Sequence, residues 1–194
     1  MKTNKKQILL HTKELGFTLM ELMVVIMVIA ITMAVAIPSF QTMISDNRIT
    51  SETNRLISDI QLARSEAMKR GVRVVLCRSG DTTVANPVCG GSANTWTKGW
   101  LVFASGDNNS TYESANDTLL RVSHAAAIAV TVKSNGTSDN NLVFFPNAST
   151  DEAGGTAKFV ICDQRGASYG KEVQVPPVGR PRLASSVSSC TSPS

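Results

Sequence analysis

The sequence predicts an α+β protein in which one long N-terminal helix packs on a C-terminal antiparallel β-sheet domain with two disulfides. Three observations predict this class. A run of apolar residues occupies 17–37, apolar residues then recur at helical spacing as far as residue 70, and short β-rich runs separated by turn-forming residues follow. The expected segments are a leader at 1–16, two helix halves at 17–37 and 38–70, and a β-rich domain at 71–194.

The apolar run is long enough to cross a bilayer. Its 21 residues include one charge, Glu21, and as a helix they would rise roughly 31 Å, about the thickness of the hydrocarbon core. Lysines precede the run and favour a cytoplasmic leader, which places the residues after Pro38 on the opposite side of the membrane. A single-pass anchor with an exported domain is therefore predicted. Glu21 is a functional candidate because a charge inside a membrane segment is costly.

The best cleavage site lies before the apolar run, between Gly16 and Phe17. An ordinary secretory signal is cut after its apolar stretch, so cleavage here would remove the leader and keep the anchor. Four of the 19 basic and one of the 15 acidic residues lie in the leader, which leaves 15 basic and 14 acidic residues in the mature chain. An anion-binding function would therefore need a local cluster of cations, because the overall charge is close to zero.

The second half of the helix, 38–70, is amphipathic. Pro38 removes one backbone hydrogen bond and predicts a kink or a local loosening. Gly71 predicts the end of the helix, and Glu66 and Arg70 have the spacing of a stabilising ion pair. One face carries Ile49, Thr53, Leu56, Ile60, Ala63 and Ala67, whereas Arg55, Asp59, Arg64 and Glu66 are expected elsewhere.

Short β-rich runs follow the helix and are separated by turn-forming residues such as Gly90–Gly91 and Gly106–Asn109. They predict an antiparallel sheet, or two, against which the helix packs. The expected strands are Val72–Cys77, Gly99–Ala104, Thr118–Val122, Ala127–Val132, Leu142–Phe145, Lys158–Cys162, Glu172–Val175 and Arg180–Ala184.

Four cysteines lie beyond the apolar run, with no CxxC pair of the kind that indicates a zinc or redox site. Two disulfides are expected instead, because an exported domain lies in an oxidising compartment. Three pairings of four cysteines are possible. The local one, Cys77 with Cys89 and Cys162 with Cys190, is favoured.

The segment GFTLMELMVVIMVIAITMAVAIPSF resembles the prepilin motif of type IV pilins, with Gly16, Phe17, Thr18, Leu19, Glu21 and Pro38 at the matching positions. The resemblance implies that prepilin peptidase cuts after Gly16 and methylates Phe17. It also implies that Glu21 pairs with the amine of Phe17 in a neighbouring subunit, which sets the register of assembly.

Further along, EAMKRGVRVVLCRSG, Cys89 and WTKGWLVF resemble the GspH/FimT family of minor pilins and pseudopilins. The resemblance implies a type IV pilin-like fold and assembly with other major and minor pilins. It also implies residence first in the inner membrane and then in a pilus at the cell surface. Trp96 and Trp100 are expected to fill the interface between helix and sheet.

Enzymatic, metal and cofactor functions are not predicted. Residues 166–170 fit the GxSxG pattern of a nucleophile elbow, but the expected strand–turn–helix context and a general base are missing. The only histidine after the leader is His124, which cannot form a metal site by itself. The GxSxG segment is therefore interpreted as a turn.

The segment Val178–Leu183, which follows Pro176 and Pro177, is the best candidate for a binding site. In an extended chain Arg180 and Arg182 would project to one side about 7 Å apart, near the spacing of neighbouring phosphates. Lys171 and Arg165 would extend this cationic patch, whereas Glu172 and Asp163 would weaken it.

The same segment resembles the GRxR motif of FimT-type pilins, with Gly179, Arg180 and Arg182 at the matching positions. This resemblance implies binding of double-stranded DNA during natural transformation. Two alternatives remain open. The arginines could lie on a solvated strand with ordinary surface pairs, and the protein could be a structural minor pilin or a type II secretion pseudopilin that binds only other pilins.

Overall fold

A computed structural model describes residues 16–92, 95–134, 140–152, 155–187 and 189–190. Leader residues 1–15 lie outside the described residues. The chain divides into two compact units, an N-terminal unit, Met1–Thr42, and a C-terminal unit, Met43–Ser194.

Helix α1 comprises Leu19–Arg70. The Thr18 hydroxyl accepts a hydrogen bond of 3.2 Å from the backbone N–H of Glu21, so Thr18 caps the first turn. The helix is continuous through Pro38, and the predicted loosening does not interrupt it. It ends as predicted at Gly71, which adopts a φ of 67° and donates its N–H to the Ala67 carbonyl at 3.0 Å.

Within the N-terminal unit, helix α1 is long and apolar enough to cross a membrane. One 18-residue window of this helix has a mean hydropathy of 2.6, and none of its residues is buried. Phe17, just before the helix, is also exposed. The N-terminal unit therefore presents an apolar helical surface, as the sequence predicts.

The C-terminal unit contains two antiparallel four-stranded sheets, which confirms the α+β prediction. The first has the order β3-β2-β1-β5 and the second the order β4-β6-β7-β8. The strands are β1 Val74–Arg78, β2 Trp100–Ala104, β3 Thr118–Ser123, β4 Thr131–Ser134, β5 Asn141–Phe144, β6 Ala157–Cys162, β7 Lys171–Val175 and β8 Arg182–Leu183.

One hydrophobic core joins both sheets to residues 49–67 of helix α1, and all six positions predicted for the apolar face are buried in the structure. Trp96 and Trp100 are fully buried in this core, which confirms the predicted interface. The Trp96 ring packs edge-on against Phe159 with ring centres 5.1 Å apart, and its Nε1 donates to the Ser134 hydroxyl at 2.8 Å.

The prediction that Asp59 lies away from the buried face is wrong. Its side chain is fully buried, and its carboxylate accepts hydrogen bonds from Trp100 Nε1 at 2.8 Å, from the Ser123 hydroxyl and from Arg121 Nη1 at 2.6 Å. Asp59 is three residues from Leu56 and four from Ala63, so it belongs to the same face by spacing. The donors on β2 and β3 make burial of its charge tolerable.

Two strand predictions need correction. The strand expected at Ala127–Val132 begins only at Thr131, because Ala129 has a φ of 67° and Val130 closes a turn onto the Ala127 carbonyl. The strand expected at Arg180–Ala184 contains only Arg182 and Leu183. Pro181 has no N–H to donate to the ladder, which explains the late start.

The disulfides Cys77–Cys89 and Cys162–Cys190 are both present, which confirms the favoured pairing. The GxSxG segment forms a short 3₁₀ turn, Ala167–Tyr169, followed at once by strand β7. A nucleophile elbow would be followed by a helix. The strand found here agrees with the interpretation of the GxSxG segment as a turn. No cluster of three or more metal-ligating side chains occurs among the described residues.

Candidate nucleic-acid interface

A tight turn at Pro176–Gly179 carries the chain from β7 to the two arginines. The Gly179 N–H donates to the Pro176 carbonyl at 2.8 Å, and the Pro177 carbonyl accepts the Thr150 N–H at 2.9 Å. Proline in the second position and glycine in the fourth suit such a turn. The Thr150 bond ties the turn to the loop that follows β5, so both sheets contribute to the position of the arginines.

Gly179 is the residue on which this position depends. Its φ is 71°, and a Cβ atom built there would lie 2.2 Å from the Ala148 carbonyl oxygen and 3.3 Å from the Phe144 ring. Residues other than glycine rarely adopt this conformation, and the backbone oxygen leaves no space for a side chain. The glycine of the motif thus lets the arginine segment pack directly on the loop after β5.

Gly179→Ala is therefore expected to destabilise the C-terminal unit by about 2–3 kcal/mol, from backbone strain together with the steric overlap. Thermal unfolding followed by tryptophan fluorescence measures this loss. Gly71→Ala is the matched control, because Gly71 has a φ of 67° and nothing lies within 4 Å of its Cβ position. An equal loss in both variants would show that contact with Ala148 is unimportant.

Arg180 lies in a groove between its own segment and helix α1. The groove has a volume of about 320 Å³ and is lined by Gln61, Arg64, Ser65, Met68, Arg180 and Pro181. None of these six residues is acidic. Arg180 is exposed, and no hydrogen bond or ion pair joins it to another of the described residues.

Arg182 lies on β8, the edge strand of the second sheet. It is exposed, and its Nε donates to the Gln174 side-chain oxygen at 3.2 Å. Gln174 donates in turn to the buried Glu172 at 2.7 Å. Arg182 is therefore oriented by a neutral partner, and the nearby carboxylate does not pair with it directly.

The structure does not bring Lys171 and Arg165 to this groove. The Lys171 ammonium donates to the Thr50 hydroxyl at 2.9 Å, and Arg165 pairs with Asp46 at 2.7 Å. Thr50 and Asp46 lie on helix α1 at least 11 positions before Gln61, which is about 16 Å or more along the helix axis. The cationic patch predicted from sequence is therefore split between two places on the C-terminal unit.

Arg165 is also neutralised by its neighbours. Besides Asp46, it pairs with Asp163 at 2.8 Å and stacks over the Tyr169 ring at 4.3 Å. Hydrogen bonds to Asp163 and Asp46 raise the pKa of Arg165. Burial raises the pKa of Asp163, but the hydrogen bonds from Arg165 outweigh it and the pKa falls below its usual value. Both groups are therefore charged and paired with each other at neutral pH.

Arg64 is a lining residue that sequence reasoning did not select. It lies on helix α1, 116 positions before Arg180, and its Nε is buried without a hydrogen-bond partner among the described residues. No local motif marks it, since only the packing of the helix beside the turn at residues 176–179 brings it to the groove.

The residues implied in processing and assembly lie in the N-terminal unit. Phe17 is exposed, Thr18 caps helix α1, and Glu21 lies in the first turn of the helix. A carboxylate in the first turn is favourable because the N-terminus of a helix carries partial positive charge. Pro38 lies within the same helix.

Two family models match the chain. The model described as Type II transport protein GspH matches residues 52–179, more than half of the chain, and the model described as Prokaryotic N-terminal methylation motif matches residues 11–37. No curated protein sequence matches it significantly.

The fold is similar to that of the type IV minor pilin FimU of Pseudomonas aeruginosa in two crystal forms. The TM-score is 0.54 for both, with identities of 22% and 21%, and the matches cover 73% and 74% of this chain and 98% and 96% of FimU. The minor pseudopilin EpsH from the Type 2 Secretion System of Vibrio cholerae also matches, with a TM-score of 0.47, 10% identity and coverage of 71% and 96%. The likeness to FimU shows a type IV pilin-like fold. The GspH model, which matches more than half of the chain, shows that the chain belongs to the GspH/FimT family of minor type IV pilins and type II secretion pseudopilins.

Proposed function

We propose that the protein is a minor type IV pilin that binds extracellular double-stranded DNA for uptake in natural transformation. The observation that carries this proposal is the pair Arg180 and Arg182. Both are exposed and have no ion-pair partner among the described residues. Arg121 and Arg165, by contrast, are paired with acids, Arg121 with Asp59 and Arg165 with Asp46 and Asp163. The resemblance to the GRxR motif supports the same interpretation.

The chemistry of guanidinium groups suits DNA without regard to its sequence. Each planar fork can grip two phosphate oxygens, and phosphate contacts carry no base information. Such contacts suit a protein that captures DNA of any sequence. Two contacts give weak binding, so several copies, or a pilus tip that presents the arginines repeatedly, would supply the avidity for capture.

Removal of both guanidinium groups is expected to abolish most of the DNA binding. In Arg180→Gln/Arg182→Gln, loss of two phosphate contacts should lower the slope of log affinity against log salt by about 1.8 and the affinity by about tenfold or more. Fluorescence anisotropy with a labelled 30-bp duplex, repeated over a series of salt concentrations, measures both quantities. Transformation frequency should fall in parallel.

The matched control is Lys69→Gln/Lys98→Gln, which removes two exposed cations of the same unit that do not line the groove. It changes the net charge equally and should leave the slope nearly unchanged. Equal losses in the two double variants would indicate a general charge effect and would contradict a site at Arg180 and Arg182.

We also propose that the protein is anchored in the inner membrane with its C-terminal unit in the periplasm, and that prepilin peptidase cleaves it after Gly16. The match to the N-terminal methylation motif and the exposed apolar helix support this course. The new amine at Phe17 would pair with Glu21 of an adjacent pilin, which offsets the cost of burying either charge alone.

The mature protein is accordingly expected to begin at a methylated Phe17. Cleavage there removes four lysines and one glutamate but retains the whole of helix α1. Intact-mass and N-terminal peptide mass spectrometry of protein isolated from membranes or pili locates the start. A mature chain that begins after the apolar run would exclude retention of the anchor and with it this mode of assembly.

A second candidate function is a structural one, in which the protein primes assembly of a pilus or secretion pseudopilus and binds only other pilins. The family description as a type II transport protein favours it. A folded Arg180→Gln/Arg182→Gln variant that still supports filament assembly, together with wild-type protein that shows no salt-dependent DNA binding, would decide for this function.

A further inference from the structure

The groove beside Arg180 combines residues from two distant parts of the chain. Gln61, Arg64, Ser65 and Met68 have the i, i+3, i+4, i+7 spacing of one helix face, and Arg180 and Pro181 close the groove from the other side. A volume of about 320 Å³ lies at the lower end of the range for small-molecule sites. The groove is therefore large enough to admit a phosphate group with part of its sugar.

The charges of the groove are unbalanced. Arg64 and Arg180 both line it, and none of the four other lining residues carries a negative charge. The nearest acid along the helix, Glu66, is engaged by Arg70 at 2.5 Å and by Lys69 at 3.6 Å. Two guanidinium groups at one groove repel each other unless an anion lies between them, so the groove favours an anionic occupant.

Arg64 has unused hydrogen-bonding capacity for such an occupant. Its Nε is buried without a partner among the described residues, and the Gln61 side chain beside it is neutral. Arg64 makes no hydrogen bond or ion pair with any of the described residues, so the terminal nitrogens of its guanidinium group can donate to an acceptor in the groove. The apolar Met68 and Pro181 complete the lining, and their surfaces suit the sugar of a phosphodiester chain better than a free hydrated ion.

We infer that Arg64 and Arg180 together form a phosphodiester-binding groove, in which one backbone phosphate of DNA is held between helix α1 and the arginine segment. Arg182, on the adjacent edge strand, then contacts a different phosphate. This inference rests on the proposed DNA binding and adds to it a third cation, contributed by the helix. It also fixes the path of the DNA, which must run alongside residues 61–68 of α1.

Replacing Arg64 tests the groove. In the full-length protein, held in detergent micelles, Arg64→Gln should lower the slope of log affinity against log salt by about 0.9 for a labelled 30-bp duplex and weaken binding several-fold at about 0.1 M salt. Arg64→Lys keeps the charge and should restore most of the slope. Lys69→Gln removes one exposed charge of the same helix that does not line the groove and should leave the slope unchanged.

The outcomes separate this inference from the proposed function. A normal slope in Arg64→Gln, with a lowered slope in Arg180→Gln/Arg182→Gln, would overturn the groove and leave DNA binding at the motif intact. Unaltered binding in both variants would overturn both. Tryptophan fluorescence must show that each variant remains folded. If Arg64→Gln does not fold, the salt slopes of Arg64→Lys and Arg64→Met are compared instead, and equal slopes would overturn the groove.

Discussion

Asp59→Ala is expected to destabilise the C-terminal unit by about 2–4 kcal/mol, because it removes a fully buried carboxylate on which two core donors depend, whereas its ion-pair partner Arg121 is 44% exposed and keeps access to water. The carboxylate accepts hydrogen bonds from Trp100, Ser123 and Arg121, and its side chain is fully buried. Alanine would leave the indole N–H and the hydroxyl in the core without an acceptor, at an added cost for each. Since Trp100 belongs to β2 and Ser123 to β3, the substitution would also remove hydrogen bonds that join the helix to the first sheet.

The loss is measured by chemical denaturation, with the fluorescence of Trp96 and Trp100 as the signal. Both tryptophans lie in the core that would open. Asp46→Ala is the matched control. It also removes an aspartate from the same helix, but the Asp46 side chain, which pairs with Arg165, is 59% exposed. An exposed pair contributes at most about 1 kcal/mol. Comparable losses in the two variants would contradict a special role for the buried carboxylate.

The helix and the two sheets are specified by local patterns, which is why most of the fold can be predicted from sequence. The six apolar positions between Ile49 and Ala67 define one helix face, and all six are buried. Gly71 ends the helix because its conformation suits glycine. The strands follow from runs of β-branched and aromatic residues, and their ends are misplaced where a turn such as that at Ala129 or a proline such as Pro181 intervenes.

Features that depend on tertiary contacts escape a sequence pattern. Asp59 is taken as a surface residue because its charge outweighs its position, and only its donors on β2 and β3 explain its burial. Arg165 and Lys171 are grouped with Arg180 because they are close along the chain. In the structure strand β7 separates Arg165 and Lys171 from Arg180, because its five residues extend about 13–17 Å. Arg64 lies far away in sequence but lines the same groove as Arg180.

Removal of the Cys162–Cys190 disulfide by paired alanine substitutions is expected to cost about 3.5 kcal/mol of stability, since it opens a loop with a sequence separation of 28. Removal of Cys77–Cys89, which closes a separation of 12, should cost about 3 kcal/mol. The two variants are therefore nearly matched in stability and differ in the part of the chain that each one releases.

DNA affinity should distinguish the two disulfide variants. The loop closed by Cys162 and Cys190 contains β7, the turn at residues 176–179 and both Arg180 and Arg182, whereas the other loop contains none of them. Strand β8 has two residues at a sheet edge, so the disulfide that follows it limits the freedom of Arg182. Ordering of side chains on binding costs free energy, so a looser arginine segment should bind DNA more weakly in the variant without Cys162–Cys190. Fluorescence anisotropy, recorded well below the melting temperatures of both variants, measures the difference. Equal affinities in the two variants would mean that the turn and Gly179 alone are sufficient to hold the arginines in place.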